Sequence, residues 1–192
     1  MSSIFTLVHV LGLVALGFSG LMTSCLLTSY INHDGATQAF WDSTVMAFCI
    51  GAMMFLSTYK TQKKLSRQAG FLLVALTWSL SPMLCTLPLI IFMPNLSLVD
   101  AYFETMSGLT TTGATILTGL DNLPMSINLW RHELNWIAGM GIIIFAVAIL
   151  PILGIGGMQL YKAETPGSVK ESDLPPRIAQ TAKALWIVYA GV

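Results

Sequence analysis

Long runs of apolar residues set the fold class of this chain. A helix needs about 20 mostly apolar residues to cross a bilayer, and four runs reach that length: residues 4–31, 39–59, 70–93 and 134–160. A fifth run starts near Ile178 and continues to Val192. Only 9% of the residues are charged, whereas a soluble domain carries about 25%. We therefore predict an all-α integral membrane protein in contact with the lipid bilayer.

The basic residues are concentrated in two of the polar breaks between these runs. Eight of the nine lysine and arginine residues lie in or beside residues 60–68 and 162–177. Cytoplasmic loops of membrane proteins carry an excess of such residues. We therefore predict that both breaks and the amino terminus are cytoplasmic and that residues 94–133 face outward. The net charge is zero and no basic field is present, so nucleic acid is not an expected partner. The eight basic residues in or beside the two breaks are Lys60, Lys63, Lys64, Arg67, Lys162, Lys170, Arg177 and Lys183.

The predicted outer segment contains a part that differs from an ordinary loop. Ser97 can cap a helix and Asp100 occupies the position of the reciprocal acid, which predicts a short helix at about 98–109. Such a helix is too short to cross a bilayer. The sequence TTTGAT follows at residues 110–115, and the chain becomes polar again at Asp121. We predict a re-entrant segment, because irregular backbone at membrane depth must be buried in protein or line a wet cavity.

Residues 110–115 have the composition of an ion filter. Successive backbone carbonyls in a wet cavity can replace the hydration shell of a cation. Threonine resists collapse into a helix, and Gly113 permits backbone angles that aim a carbonyl at the axis. The short helix would direct the negative end of its dipole at the same point. A plain threonine-rich loop explains these six residues alone equally well, but the order of span, capped short helix, Thr/Gly strand and span favours the filter.

Three stretches of this sequence resemble one family. The sequence FETMSGLTTTGAT at 103–115 resembles the first pore loop of the TrkH/TrkG potassium-uptake proteins of the Trk/Ktr/HKT superfamily. The sequences WIAGMGI at 136–142 and AILPILGIGGMQLY at 148–161 are also similar to that family. The resemblance implies a pseudo-fourfold, potassium-channel-like fold in which two extra helices precede repeats of helix, pore loop and helix.

The resemblance also divides the chain into segments. It implies an amino-terminal pair of transmembrane helices at 1–60, a cytoplasmic basic loop at 61–69 and the first repeat at 70–161. Within that repeat the pore helix covers about 98–109 and the filter covers 110–115. A cytoplasmic connection at 162–177 then leads to the start of the next transmembrane helix at 178–192.

The same resemblance implies a function, a site and partners. The expected function is potassium uptake across the bacterial inner (plasma) membrane, with K⁺ as the transported ion and no covalently bound cofactor. The backbone carbonyls of Thr111, Thr112, Gly113 and Ala114 are the expected K⁺ ligands, Thr111 and Thr112 first. Glycine at position 113 accompanies potassium selectivity in the superfamily, whereas serine accompanies sodium transport. The implied partners are a second copy of the chain, as a homodimer, and a cytoplasmic nucleotide-binding regulatory subunit of the TrkA type.

The chain departs from the family in one respect. The family needs four pore loops, and we find one, so this chain is expected to supply one quarter of a pore. We expect it to be the amino-terminal part of a longer protein or a truncated copy; a homotetramer is conceivable, but the unpaired fifth apolar run argues against it. A membrane enzyme is not expected, because no catalytic motif such as HExxH or GxSxG is present. The remaining alternative is a proton- or sodium-coupled secondary carrier of another small solute.

Four polar side chains each permit two interpretations. For Glu104, hydrogen bonds from neighbouring backbone are favoured over contact with an ion. Asp121 would either raise the cation concentration at the outer mouth or form a turn. For Arg131, which together with His132 and Glu133 would start the helix after the filter, anchoring at the membrane interface is favoured over gating. His9 is favoured as a packing residue over a proton relay.

Overall fold

The structure, a computed structural model, describes residues 2–59, 67–149 and 174–191. These residues form α-helices and one short 3₁₀ helix, and none of them forms a strand, so the prediction of a mostly helical protein is confirmed for this part of the chain. Both predicted cytoplasmic breaks fall largely outside the described residues. The helices are α1 (Ser2–Asn32), α2 (Thr37–Thr58), α3 (Arg67–Cys85), α4 (Leu87–Phe92), α5 (Leu98–Leu109), α6 (Met125–Ile149) and α7 (Leu174–Gly191).

Three helical stretches are long and apolar enough to cross a membrane, counting only residues that the structure describes. They are Ile4–Asn32, Thr37–Thr58 and Gln68–Phe92, and they coincide with the first three apolar runs of the sequence. The fourth predicted run, at 134–160, extends beyond Ile149 and therefore lies partly outside the described residues. Its crossing of the membrane stays a prediction.

Helices α1 and α2 pack against each other at two glycines. A Cβ atom on Gly51 would lie 2.9 Å from the backbone nitrogen of Leu16, and one on Gly12 would lie 2.9 Å from that of Phe55. Small residues allow such close backbone approach between membrane helices. Farther along the pair, the His9 ring stacks on Phe55 with centroids 4.5 Å apart, which supports the interpretation of His9 as a packing residue.

The third apolar run is broken near its end, which the sequence analysis did not predict. Helix α3 ends at Cys85, Thr86 forms a turn, and α4 begins at Leu87. Pro82 and Pro88 lack the backbone N–H that would continue the helical ladder, and a proline ring also crowds the carbonyl four residues before it. The helix is therefore interrupted at the end of the run that precedes α5.

Helix α6 begins at Met125 rather than at Leu134 or at Arg131, as the sequence analysis expected. Ile127, Trp130 and Leu134 are all buried. Their spacing of three and four residues places them on one face of a helix. Burial of this stripe stabilises a helix in residues 125–133, whose polarity suggested a loop.

The chain divides into two compact units, Met1–Asn135 and Trp136–Val192. In the second unit, the Trp136 ring stacks with the Tyr189 ring of α7, with centroids 6.0 Å apart. The Tyr189 hydroxyl donates a hydrogen bond of 3.0 Å to the Trp136 carbonyl. Helix α7 starts at Leu174, before the expected start near Ile178. The residues discussed below all belong to the first unit.

We expect Gly51→Leu to destabilise the α1–α2 pair, because the added side chain collides with the backbone of Leu16. Overpacking of this kind costs about 1–3 kcal/mol. The matched control is Gly17→Leu on α1, where a Cβ meets nothing within 4 Å and the gain in helix propensity is the same. Thermal unfolding of the purified protein in detergent measures both. Equal melting temperatures for the two variants would contradict the close contact.

Candidate functional site

Helix α5 is short and begins with a side-chain cap. The Ser97 hydroxyl accepts a hydrogen bond of 3.1 Å from the backbone N–H of Asp100. The same hydroxyl donates one of 2.7 Å to the Asp100 carboxylate, in place of the backbone contact of a standard capping box. The inner face of α5 buries Ala101, Thr105 and Gly108. The cap and this face fix where the helix starts and how it is rotated.

The carboxyl end of α5 passes directly into the threonine-rich loop. The backbone N–H of Thr110 donates to the Met106 carbonyl (2.9 Å) and that of Thr111 to Gly108 (3.0 Å). The Thr112 N–H donates to Ser107 at 2.9 Å. Thr110 and Thr111 therefore form a turn that closes the helix, and irregular backbone begins at Thr112.

Two residues of the segment 110–115 have left-handed backbone angles. Thr111 has φ of 56° and Gly113 has φ of 72°, whereas Thr112 between them has negative φ. A positive φ is ordinary for glycine. It is an outlier for a β-branched residue, and such strain occurs mainly where surrounding structure imposes it at functional sites. Thr111 is held locally, since its hydroxyl donates 2.7 Å to the Thr110 carbonyl.

The four carbonyls predicted to bind K⁺ differ in their hydrogen bonding. No residue in the described part of the chain donates a hydrogen bond to the carbonyls of Thr111, Thr112 or Gly113. The Ala114 carbonyl accepts one of 2.6 Å from the Ser107 hydroxyl on α5. The three residues with unengaged carbonyls are all exposed. Buried backbone acceptors are nearly always satisfied within the protein, whereas these three exposed carbonyls are open to a ligand.

The carboxylate of Glu104 lies behind the loop and is almost fully buried, with 4% of its side chain exposed. It accepts hydrogen bonds from the backbone N–H of Ile116 at 3.0 Å and from the Thr115 hydroxyl at 2.9 Å. Arg131 of α6 completes the set, with its Nε 2.7 Å from the other carboxylate oxygen. This geometry supports the interpretation of Glu104 as an acceptor for nearby backbone.

Arg131, for which the sequence favoured anchoring at the membrane interface, is engaged by a partner within the protein. Its side chain is only 16% exposed and forms the ion pair with Glu104. Removing one partner of a buried ion pair costs about 3–5 kcal/mol, because the other charge is left unpaired. One sequence signal set Arg131 apart, although it did not identify the partner: Arg131 is the one basic residue that lies away from both basic breaks.

The close approach of α5 and α6 makes the ion pair possible. A Cβ atom on Gly108 would lie 3.1 Å from the Leu134 Cβ and 3.9 Å from the Arg131 carbonyl. A cavity of about 30 Å³, room for about one water molecule, is lined in part by Glu104, Gly113 and Arg131.

Asp121 lies in the 3₁₀ helix Leu120–Asn122 farther along the loop, which agrees with its turn-forming interpretation.

The loop between α1 and α2 contacts the first turn of α6. The Asp34 carboxylate accepts hydrogen bonds from the backbone N–H of Ser126 at 2.9 Å, from that of Ala36 at 3.2 Å and from the Ser29 hydroxyl. Burial alone would raise the pKa of Asp34, but these hydrogen bonds outweigh it and hold the pKa below its ordinary value. A carboxylate is favoured there because it faces the positive end of the α6 dipole.

A second contact joins α1 to α6. The Ser24 hydroxyl donates a hydrogen bond of 2.5 Å to one carboxylate oxygen of Glu133. The thiol of Cys25 lies 3.5 Å from the other oxygen. Helix α6 is therefore held by α5 through Arg131 and by α1 through Glu133. No sequence pattern indicated the contact of Asp34 or that of Ser24 with α6.

The chain matches one family of known proteins. Residues 36–192 match the family model described as TrkH, cation transport protein. The chain is 49% identical over 182 residues to the Trk system potassium uptake protein TrkH of Escherichia coli K12, covering 94% of this chain and 38% of that protein. It is 36% identical to the TrkG protein of the same organism, over 98% of this chain and 39% of the relative. The chain therefore spans less than half the length of the curated relatives it matches.

A solved structure gives the same result for the fold. The crystal structure of the potassium transporter TrkH from Vibrio parahaemolyticus superimposes with a TM-score of 0.80 at 40% sequence identity. The match covers 97% of this chain and 37% of the Vibrio chain.

We expect Asp34→Asn to lower the thermal stability of the protein in detergent by about 1 kcal/mol at neutral pH, since the group is partly exposed. Because the folded pKa lies below the ordinary value, the charged carboxylate stabilises the fold at all pH values above about 4. That contribution is lost as pH falls through the folded pKa. The difference between parent and variant should therefore be constant above about pH 5 and shrink in more acidic buffer.

The control for this experiment is Asp121→Asn, which removes an exposed carboxylate from the same chain. Its melting temperature should equal that of the parent at every pH. A difference between Asp34→Asn and the parent that persists unchanged in acid would contradict a stabilising carboxylate.

Proposed function

Because this chain belongs to the TrkH family of cation transport proteins, we propose that it contributes to potassium uptake across a membrane by supplying one quarter of a pore. Its three apolar helices and its family make it a membrane protein. The observation that carries the proposal is the row of unengaged carbonyls at Thr111, Thr112 and Gly113, directly after the carboxyl end of α5.

The backbone of this row suits a cation site. In a regular extended strand successive carbonyls point to opposite sides. Here the sign of φ alternates, because it is positive at Thr111 and Gly113 and negative at Thr112 between them. This alternation allows neighbouring carbonyls to share one side, as coordination of an ion requires. The carboxyl end of α5 adds partial negative charge next to the row. Thr111 and Thr112 remain the first proposed ligands, with Gly113 next. Ala114 comes last, because its carbonyl already accepts a hydrogen bond.

The arrangement we propose is the first helix, pore loop and helix repeat at residues 70–161. In it, α5 is the pore helix and 110–115 form the filter. Helix α5 has 12 residues, about 18 Å at 1.5 Å per residue, so it reaches only partway through a hydrocarbon core of about 30 Å. A short helix followed by irregular backbone fits a segment that returns to the face from which it came.

Potassium is the ion we propose. The relatives at 49% and 36% identity are named potassium uptake proteins, and this chain carries glycine at position 113, the residue that accompanies potassium selectivity in the superfamily. We place the protein in the bacterial inner membrane, as a homodimer that a cytoplasmic nucleotide-binding subunit of the TrkA type regulates. The relatives' names assign them to a Trk system.

We expect the amino terminus and the two basic breaks to be cytoplasmic, because eight of nine cations lie in or beside those breaks. The test is labelling with a membrane-impermeant thiol reagent after Cys25, Cys49 and Cys85 are replaced. A cysteine at position 64 should stay unlabelled in intact cells and react after lysis, whereas Asp121→Cys should react in intact cells. The reverse pattern would invert the topology.

We expect Gly113→Ser to weaken the discrimination of K⁺ against Na⁺ in the protein expressed from its complete reading frame. A Cβ at position 113 meets nothing within 4 Å, so the effect comes from the backbone. Left-handed φ costs a residue with a side chain about 1–2 kcal/mol, which favours rotation of the carbonyl away from its position. The measurement is K⁺ and Na⁺ uptake, per amount of protein in the membrane, in cells that lack other potassium uptake.

The matched control is Gly119→Ser. Gly119 also has positive φ, 67°, and lies in the same loop, but outside the filter. It carries the same backbone strain and should leave ion selectivity unchanged. If Gly113→Ser kept the parent's K⁺ uptake and selectivity, residue 113 would be an ordinary loop glycine and the filter assignment would be wrong.

A further inference from the structure

A single buried carboxylate joins three segments around the proposed filter. Glu104 belongs to α5, its ionic partner Arg131 belongs to α6, and its hydrogen-bond donors Thr115 and Ile116 belong to the loop. These two loop residues follow Gly113 by two and three positions. The carboxylate therefore fixes the loop immediately after the row of unengaged carbonyls.

The loop has a second attachment to α5, which also follows Gly113 in the sequence. The Ser107 hydroxyl donates its 2.6 Å hydrogen bond to the Ala114 carbonyl. Before the row, the turn at Thr110 and Thr111 is part of the helix end. Residues 111–113 thus lie between the end of α5 and a pair of side-chain attachments, and their own carbonyls make no hydrogen bond with any residue that the structure describes.

The space behind the loop explains why an attachment is needed. The cavity of about 30 Å³ is bordered by Glu104, Ser107, Gly113 and Arg131. A loop that lost its attachment to Glu104 would have room to move toward this cavity and turn its carbonyls with it. The side chains do not merely fill space, because Glu104 uses both oxygens and Arg131 neutralises the resulting buried charge.

We propose that Glu104 and Arg131 are a positioning pair that sets ion affinity and selectivity through Thr115 and Ile116, without touching the ion. The inference rests on the proposed function, and it assigns the pair a task beyond holding α5 to α6. Glu104 must accept hydrogen bonds from the loop, and Arg131 must hold that carboxylate in the orientation that allows it to accept them. The two residues therefore cannot exchange places, because a guanidinium at position 104 would have no acceptor for the Ile116 N–H.

The mildest test is Thr115→Val, which removes one hydroxyl and keeps the shape and every charge. The hydroxyl donates to Glu104 and also accepts from the Leu117 N–H at 3.1 Å. We therefore expect the KM for K⁺ to rise about 5- to 25-fold, the size of one to two net hydrogen bonds, and selectivity over Na⁺ to fall. The amount of protein in the membrane should equal that of the parent. The matched control is Thr118→Val, an exposed threonine of the same loop whose hydroxyl bonds to no described residue. It should keep the parent's KM and selectivity.

Two further variants test the pair itself. Arg131→Lys keeps the charge but loses the planar Nε–H donor, and should raise KM more mildly than Arg131→Gln. Exchanging the two residues, as Glu104→Arg with Arg131→Glu, should not restore the parent's selectivity, although the exchange keeps the ion pair.

The outcomes separate this inference from the proposed function. If Gly113→Ser alters selectivity while Thr115→Val and Arg131→Lys change only the amount of protein, the filter assignment stands and the positioning role is overturned. Full rescue by the exchanged pair would also overturn it, since charge balance between α5 and α6 would then suffice. If Gly113→Ser has no effect on selectivity, the proposed function itself fails.

Discussion

Satisfaction of backbone hydrogen bonds is the constraint on which this structure depends. Lipid offers no partner to an unpaired N–H or C=O, so a chain in a membrane must supply every partner itself. Long helices do this automatically, but this chain also leaves the helical pattern after Cys85, near Asp34 and after Leu109. At the first break the Trp130 indole N–H donates 3.2 Å to the Cys85 carbonyl. At the second, Asp34 accepts from backbone N–H groups of its own loop and of α6.

The loop after α5 follows the same rule on one side and departs from it on the other. Toward the protein, Glu104 accepts from the Ile116 N–H and Ser107 donates to the Ala114 carbonyl. Just before these contacts, the carbonyls of residues 111–113 have no donor among the described residues. In the function we propose, a dehydrated cation takes the place of those donors. The satisfied side holds the backbone in place, so that the unsatisfied side keeps a geometry suited to one ion.

Side-chain size decides how closely the elements around this loop approach each other. Gly108 on α5 brings the helix against Leu134 of α6, and this contact places Glu104 within reach of Arg131. From the other side, α1 holds α6 through Ser24 and Glu133. The amino-terminal helix pair therefore contributes to the support of the loop, because it fixes the helix that carries Arg131.

The sequence by itself determined the helical class, the first three membrane helices and the family, because apolar run length and the motif around Gly113 depend only on local residues. It also indicated the start of α5, through Ser97 and Asp100. It did not reveal the break at Thr86 or the start of α6 at Met125, where buried contacts outweigh local polarity. Only the tertiary structure placed Arg131 against Glu104. A charge pair of this kind joins residues far apart in sequence, and its stability depends on burial, which no local pattern specifies.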